Sequence, residues 1–134
     1  HKDHAPNMKL LRHAAPELVS AAEVKMRGEQ VDPAVYVRAM AGLMEQPDGA
    51  QLDVVVLGCT HFPLVEDELR AAAPHVTFVD GAAGIARRIN HLTMDHTWPV
   101  DPEEGTFVTT GPAAALNTLL PALSGFGLTR ISSL

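Results

Sequence analysis

Cys59, the only cysteine of the chain, stands in the string Leu57-Gly-Cys-Thr-His-Phe-Pro-Leu64. A thiolate attacks as a nucleophile or removes a proton as a base. His61, two residues on, is close enough to take part in proton transfer. Thr60 adds a hydroxyl, and the backbone N–H groups of a turn can hold a carboxylate. The residues alone leave two readings open: a cysteine-dependent enzyme, or a buried structural cysteine, since free Cys is among the most buried residue types.

The elements around Cys59 put the thiol where chemistry is done. Asp53-Val-Val-Val-Leu-Gly58 reads as a buried strand, and Leu64 to Ala73 reads as a helix. The turn between them lies at the carboxyl end of a strand, where open α/β sheets place their ligands. A helix N-terminus nearby favours thiolate over thiol.

The remaining pattern alternates. Met8–Arg12 is a short candidate strand and Pro16–Met26 a helix with Pro in its first turn. Asp32 is the predicted N-cap, with Pro33 at N1, of a helix carrying Tyr36, Met40, Leu43 and Met44 on one face. That stripe reads as core. Gln46-Pro-Asp-Gly49 ends the helix. His75–Val79 is a strand leaving through Asp80-Gly81. Ala82, Ile85, Ala86, Ile89 and Leu92 form one apolar helical face. His96 to Gly105 is a linker, Thr106–Thr110 a strand, and Gly111-Pro112 opens a helix with Leu116, Leu119, Leu120 and Leu123 on one face. Gly125–Ile131 is the last strand. Strand–helix alternation with short connections predicts an α/β fold with a parallel sheet and flanking helices.

Composition narrows the class. The chain has 134 residues, enough for a real core. Its mean hydropathy of +0.06 fits a globular protein. A formal charge of −6, with Lys and Arg scattered, argues against a nucleic-acid partner. No apolar stretch reaches membrane-spanning length, and the first residues do not resemble a signal peptide. A lone cysteine excludes an internal disulfide and suits a reducing cytoplasm.

The full string closely resembles the second catalytic-cysteine motif of glutamate racemases, in the aspartate/glutamate racemase superfamily. Upstream, Ala14-Ala-Pro-Glu-Leu-Val-Ser-Ala-Ala-Glu23 is similar to the family's Ala-Cys-Pro-x-Leu-Val…Glu segment. Downstream, Phe78-Val-Asp-Gly81 with Ala83 and Ala86-Arg-Arg88 resembles its Val-Asp-Ser turn and helix. Thr106 to Gly111 is similar to a strand near its C-terminus. The resemblance covers roughly Met8 to Leu134.

It implies a cofactor-independent racemase, with no metal, that interconverts L- and D-glutamate with two cysteines and supplies D-glutamate for peptidoglycan. By position, Cys59 matches the cysteine that takes the proton from L-glutamate. Thr60 and His61 match substrate contacts, with His61 also aiding proton transfer. Glu23 matches a carboxylate near that pair. Without the resemblance Glu23 is an ordinary solvated helix carboxylate. The expected partner is glutamate, and the resemblance leaves room for a homodimer. The alternatives are a racemase for aspartate or another acidic amino acid, and a non-catalytic dicarboxylate-binding relative.

The match also departs from the family. Its first catalytic cysteine is absent, and Ala15 and Gly81 stand where a cysteine and a serine are often found. The resemblance implies an incomplete two-lobed architecture. Residues 1–80 are expected to form an incomplete second lobe carrying the Cys-Thr-His turn. Residues 81–134 are expected to pack onto a first lobe not present, leaving the chain inactive alone and apolar faces uncovered. The start at His1 rather than Met fits a partial sequence.

Other polar residues have structural explanations. His1, His4 and His13 read as terminal or surface histidines. His91 and His96 suit a helix C-terminus, and Glu66, Asp67 and Glu68 a helix N-terminus. Asp80 is open between a site role and a cap. Gly111-Pro112 lacks a phosphate-binding fingerprint. Trp98 packs onto a partner or covers the linker.

Overall fold

A computed structural model describes residues 7–98 and 104–134. The elements follow the order α1 (Pro16–Met26), α2 (Ala34–Met44), β1 (Val54–Val56), α3 (Glu66–Ala72), β2 (Thr77–Val79), α4 (Ala82–Leu92), β3 (Gly105–Thr109), α5 (Leu120–Ser124) and β4 (Leu128–Ser133), with 3-10 turns at Gly49–Gln51, Phe62–Val65 and Ala113–Leu119. Helices and short parallel strands make this an α/β fold. Among the described residues the strands form two separate two-stranded sheets, β1 with β2 and β3 with β4, rather than the one sheet the alternation predicts. The chain divides into two compact units, Val31–Asp80 with the segment through Ala22, and Glu23–Gln30 with Gly81–Leu134.

In the first unit, apolar spacing makes the core. Leu18, Ala21 and Ala22 of α1 meet Val35, Tyr36, Ala39 and Met40 of α2, and both helices close over Val65, Leu69 and Phe78. Residues at i, i+3 and i+4 share a helix face, which is why these positions are the buried ones. Asp32 caps α2 as expected: its Oδ1 accepts the Ala34 N–H at 3.0 Å and its carbonyl the Val35 N–H at 3.1 Å. Leu43 and Met44, placed on the same face by the sequence, are half-buried.

After α2 the chain turns sharply. Asp48 adopts φ 70°, a left-handed conformation that Asp tolerates. Its carboxylate holds Lys9 Nζ at 2.6 Å. Gly49 follows, buried. A Cβ there would stand 2.4 Å from the Met44 carbonyl oxygen and 2.5 Å from that of Leu43. Those atoms are backbone and cannot step aside. Gly49→Ala is therefore expected to destabilise the first unit by about 1–3 kcal/mol, read as a lower urea midpoint; an unchanged midpoint would refute this close approach.

Met8–Arg12 forms no strand. The Arg12 carbonyl accepts a bond from Gln46 Nε2 at 3.1 Å, and Lys9 is bound to Asp48, so side chains at the end of α2 hold this segment.

β1 and β2 run parallel with Val54 opposite Thr77, Val55 opposite Phe78 and Val56 opposite Val79. Alternation turns Val55 and Phe78 to the core and Val54, Val56 and Val79 to the other face. Val56 is 72% exposed. The apolar run predicts burial on both faces; the structure buries one.

Tyr36 is the buried phenol of this core. Burial, and secondarily the nearby Glu68 carboxylate, pushes its pKa above the ordinary value. The folded chain thus keeps a proton that the unfolded chain releases above pH about 10, so this contribution to stability is full below that pH and is lost as pH rises through the raised value. The urea midpoint is expected to fall between pH about 9 and about 11, less steeply in Tyr36→Phe. Equal slopes in the two proteins would contradict the assignment.

In the second unit, the end of α1 closes with a left-handed Gly28, φ 78°. Its N–H reaches the Lys25 carbonyl at 2.9 Å, and the Glu29 N–H reaches Val24 at 3.2 Å, the paired bonds of a Schellman cap. α4 carries the predicted apolar face, but Ile85 (63%), Ile89 (54%) and Leu92 (65%) are exposed. β3 and β4 are parallel, with an irregularity at Gly105/Thr106. The helix predicted from Gly111-Pro112 is a 3-10 turn that becomes α-helical only at Leu120. A continuous α-helix would place Pro121 in its interior, where the ring clashes with the carbonyl four residues back. The leucine face survives the change: Leu123 is buried and Leu116, Leu119 and Leu120 are half-buried. Part of the predicted His96–Gly105 linker, and His1 and His4, lie outside the described residues.

Candidate functional site

Three of the four predicted site residues share one turn. Leu57, the last anchored residue before it, is buried and donates its N–H to the Val79 carbonyl at 2.8 Å. The chain then leaves the carboxyl end of β1 through exposed Gly58. Cys59 is half-buried, Thr60 exposed and His61 half-buried. The Phe62 N–H returns to the Cys59 carbonyl at 3.1 Å and the Leu64 N–H to His61 at 3.1 Å. Val65, fully buried, anchors the far end. Main-chain bonds and two core side chains thus fix the turn from both ends.

Cys59 Sγ lies 3.9 Å from His61 Nδ1. That is a long contact even for sulfur, yet short enough that a small rotation of either side chain would bring thiol and imidazole into proton-transfer range. A Cβ on Gly58 would meet no atom within 4 Å, so the space beside the turn is open among the described residues. The thiol, the imidazole and the Thr60 hydroxyl together offer a proton acceptor, a relay and a hydrogen-bond donor.

One expectation about this turn is overturned. The segment after Cys59 is a 3-10 turn, and α3 starts only at Glu66. Pro63 sits in the 3-10 turn and has no N–H to give. The dipole of α3 therefore does not begin beside the thiol, and its first turn carries Glu66, Asp67 and Glu68. Glu66 takes Arg70 at 2.9 Å through Nε, as first-turn carboxylates on a helix do.

Glu23 is not on this turn. It is half-buried on α1, and its carboxylate accepts Arg27 Nη2 at 3.0 Å. It belongs to the second compact unit, whereas Cys59, Thr60 and His61 belong to the first. Asp80 follows β2 and is exposed. Since β1 and β2 are parallel, it leaves the sheet from the same end as the Cys59 turn.

His13 is exposed, as the surface reading expects, and its ring packs on Gly42 of α2, where a Cβ would stand 2.3 Å from ring atoms. The two positions are 29 residues apart, so no local pattern links them. His13 also lines an apolar cavity of about 60 Å³ with Met40, Leu57, Phe62, Leu69 and Phe78. The cavity is mostly apolar, which suits it poorly to a charged amino acid.

Among the described residues no helix is long and apolar enough to cross a membrane, and no three His, Cys, Asp or Glu side chains cluster as a metal site.

No family model matches the chain. It is 48% identical over 125 residues to a glutamate racemase of Sphingopyxis alaskensis, covering 92% of this chain and 47% of that protein. It is 40% identical over 94 residues to a glutamate racemase of Haemophilus influenzae, covering 69% of this chain and 34% of that one. Its structure superposes on Escherichia coli glutamate racemase, solved with L-glutamate and the activator UDP-MurNAc-ala, with a TM-score of 0.79 and 29% identity, over 99% of this chain and 50% of that chain. The chain thus spans half or less of the length of these relatives, and it matches their C-terminal part.

Proposed function

This chain is homologous to the C-terminal part of the glutamate racemases, and from that premise we propose that it carries one of the two proton-transfer groups of an enzyme interconverting L- and D-glutamate. One observation carries the reading: identity of 48% over 92% of the chain, a span that necessarily includes the Cys59 turn. The geometry of that turn supports it, with thiol and imidazole adjacent at the carboxyl end of a parallel strand.

In the proposed reaction the Cys59 thiolate removes the α-proton of L-glutamate and becomes a thiol. The electron pair left on the α-carbon delocalises into the substrate carboxylate. A second cysteine thiol then delivers a proton to the opposite face, giving D-glutamate and a thiolate there. The two sulfurs exchange roles for the reverse direction, and no cofactor is needed. An amino-acid α-proton is a weak acid, so donors preorganised at the carboxylate are required. Thr60 and the N–H groups of the turn supply them. His61 relays the proton gained by Cys59.

The second cysteine belongs to a lobe that this chain does not hold. In this reading residues 1–80, apart from Glu23–Gln30, belong to the lobe bearing Cys59, and residues 81–134 pack against the other lobe. The match to half of each relative supports this division. The whole enzyme supplies D-glutamate for peptidoglycan in the cytoplasm and acts on a small molecule rather than on nucleic acid or membrane.

The chain alone is accordingly expected to give no net conversion of L- to D-glutamate, followed by circular dichroism. Conversion should appear when an N-terminal half like that of the relatives is supplied. Conversion by the chain alone would overturn the division of labour between two lobes.

A further inference from the structure

We draw no further inference here: the strongest candidate, the apolar face of α4 formed by Ile85, Ile89 and Leu92, is unpartnered among the described residues and nothing in the structure shows what covers it.

Discussion

Cys59→Ala, assayed in the presence of an N-terminal half, is expected to slow conversion of L-glutamate by about 10²–10⁴-fold, the range that one positioned acid–base group contributes. The substitution removes the only thiol of the chain and leaves the anchors of the turn in place. The bonds from Phe62 to Cys59 and from Leu57 to Val79 are main-chain bonds, and an alanine makes both. The side chain is half-buried rather than part of the core, so the urea midpoint should move little. Activity and stability therefore separate in this variant. A large fall in midpoint with activity per folded molecule retained would return Cys59 to the structural reading that its residue type also permits.

Leu69→Ala is expected to have the largest effect on folding, about 2–5 kcal/mol. Leu69 is 2% exposed and stands on α3 between the two-helix layer and Phe78 of β2. Its side chain also walls the cavity of about 60 Å³ behind Leu57 and Phe62. Removing its methyl groups enlarges an existing void, and the cost of such a change rises with the cavity left behind. α3 follows directly on the Cys59 turn, so the same variant should loosen the turn as well. Urea unfolding followed by far-ultraviolet circular dichroism gives the loss. A change below about 1 kcal/mol would mean that the first unit repacks freely.

Local signals were legible where the chain obeys a single rule. The helix Pro16–Met26 was readable because Pro at the first turn and a following run of helix formers agree. The Asp32 cap and the buried pair Tyr36 and Met40 followed from capping chemistry and helical spacing. Strand positions were legible and their lengths were not. Asp53–Gly58 and His75–Val79 shrink to three residues each, since an apolar run marks what can be buried and not how far pairing extends.

Proline explains one of the misreadings. A continuous helix from Gly111-Pro112 would hold Pro121 in its interior, and the segment before Leu120 is a 3-10 turn instead. Met8–Arg12 has strand composition, but Gln46 and Asp48, more than thirty residues away, take its polar groups. The seating of His13 on Gly42 is non-local in the same way. At the candidate site, Cys59, Thr60 and His61 were legible as a unit because they are contiguous. Glu23 entered through a resemblance, and the structure gives its carboxylate Arg27, four residues on and just past the end of α1, the local spacing at which helix ion pairs form.

The most direct test of the central claim is exchange of the substrate α-proton in D₂O, followed by NMR, for L-glutamate, D-glutamate and L-aspartate separately. With the chain alone, deuterium should enter L-glutamate only, and Cys59→Ala should stop it. With an N-terminal half supplied, both enantiomers of glutamate should exchange. No exchange of any substrate in either setting would contradict the assignment of Cys59 as the proton carrier for L-glutamate.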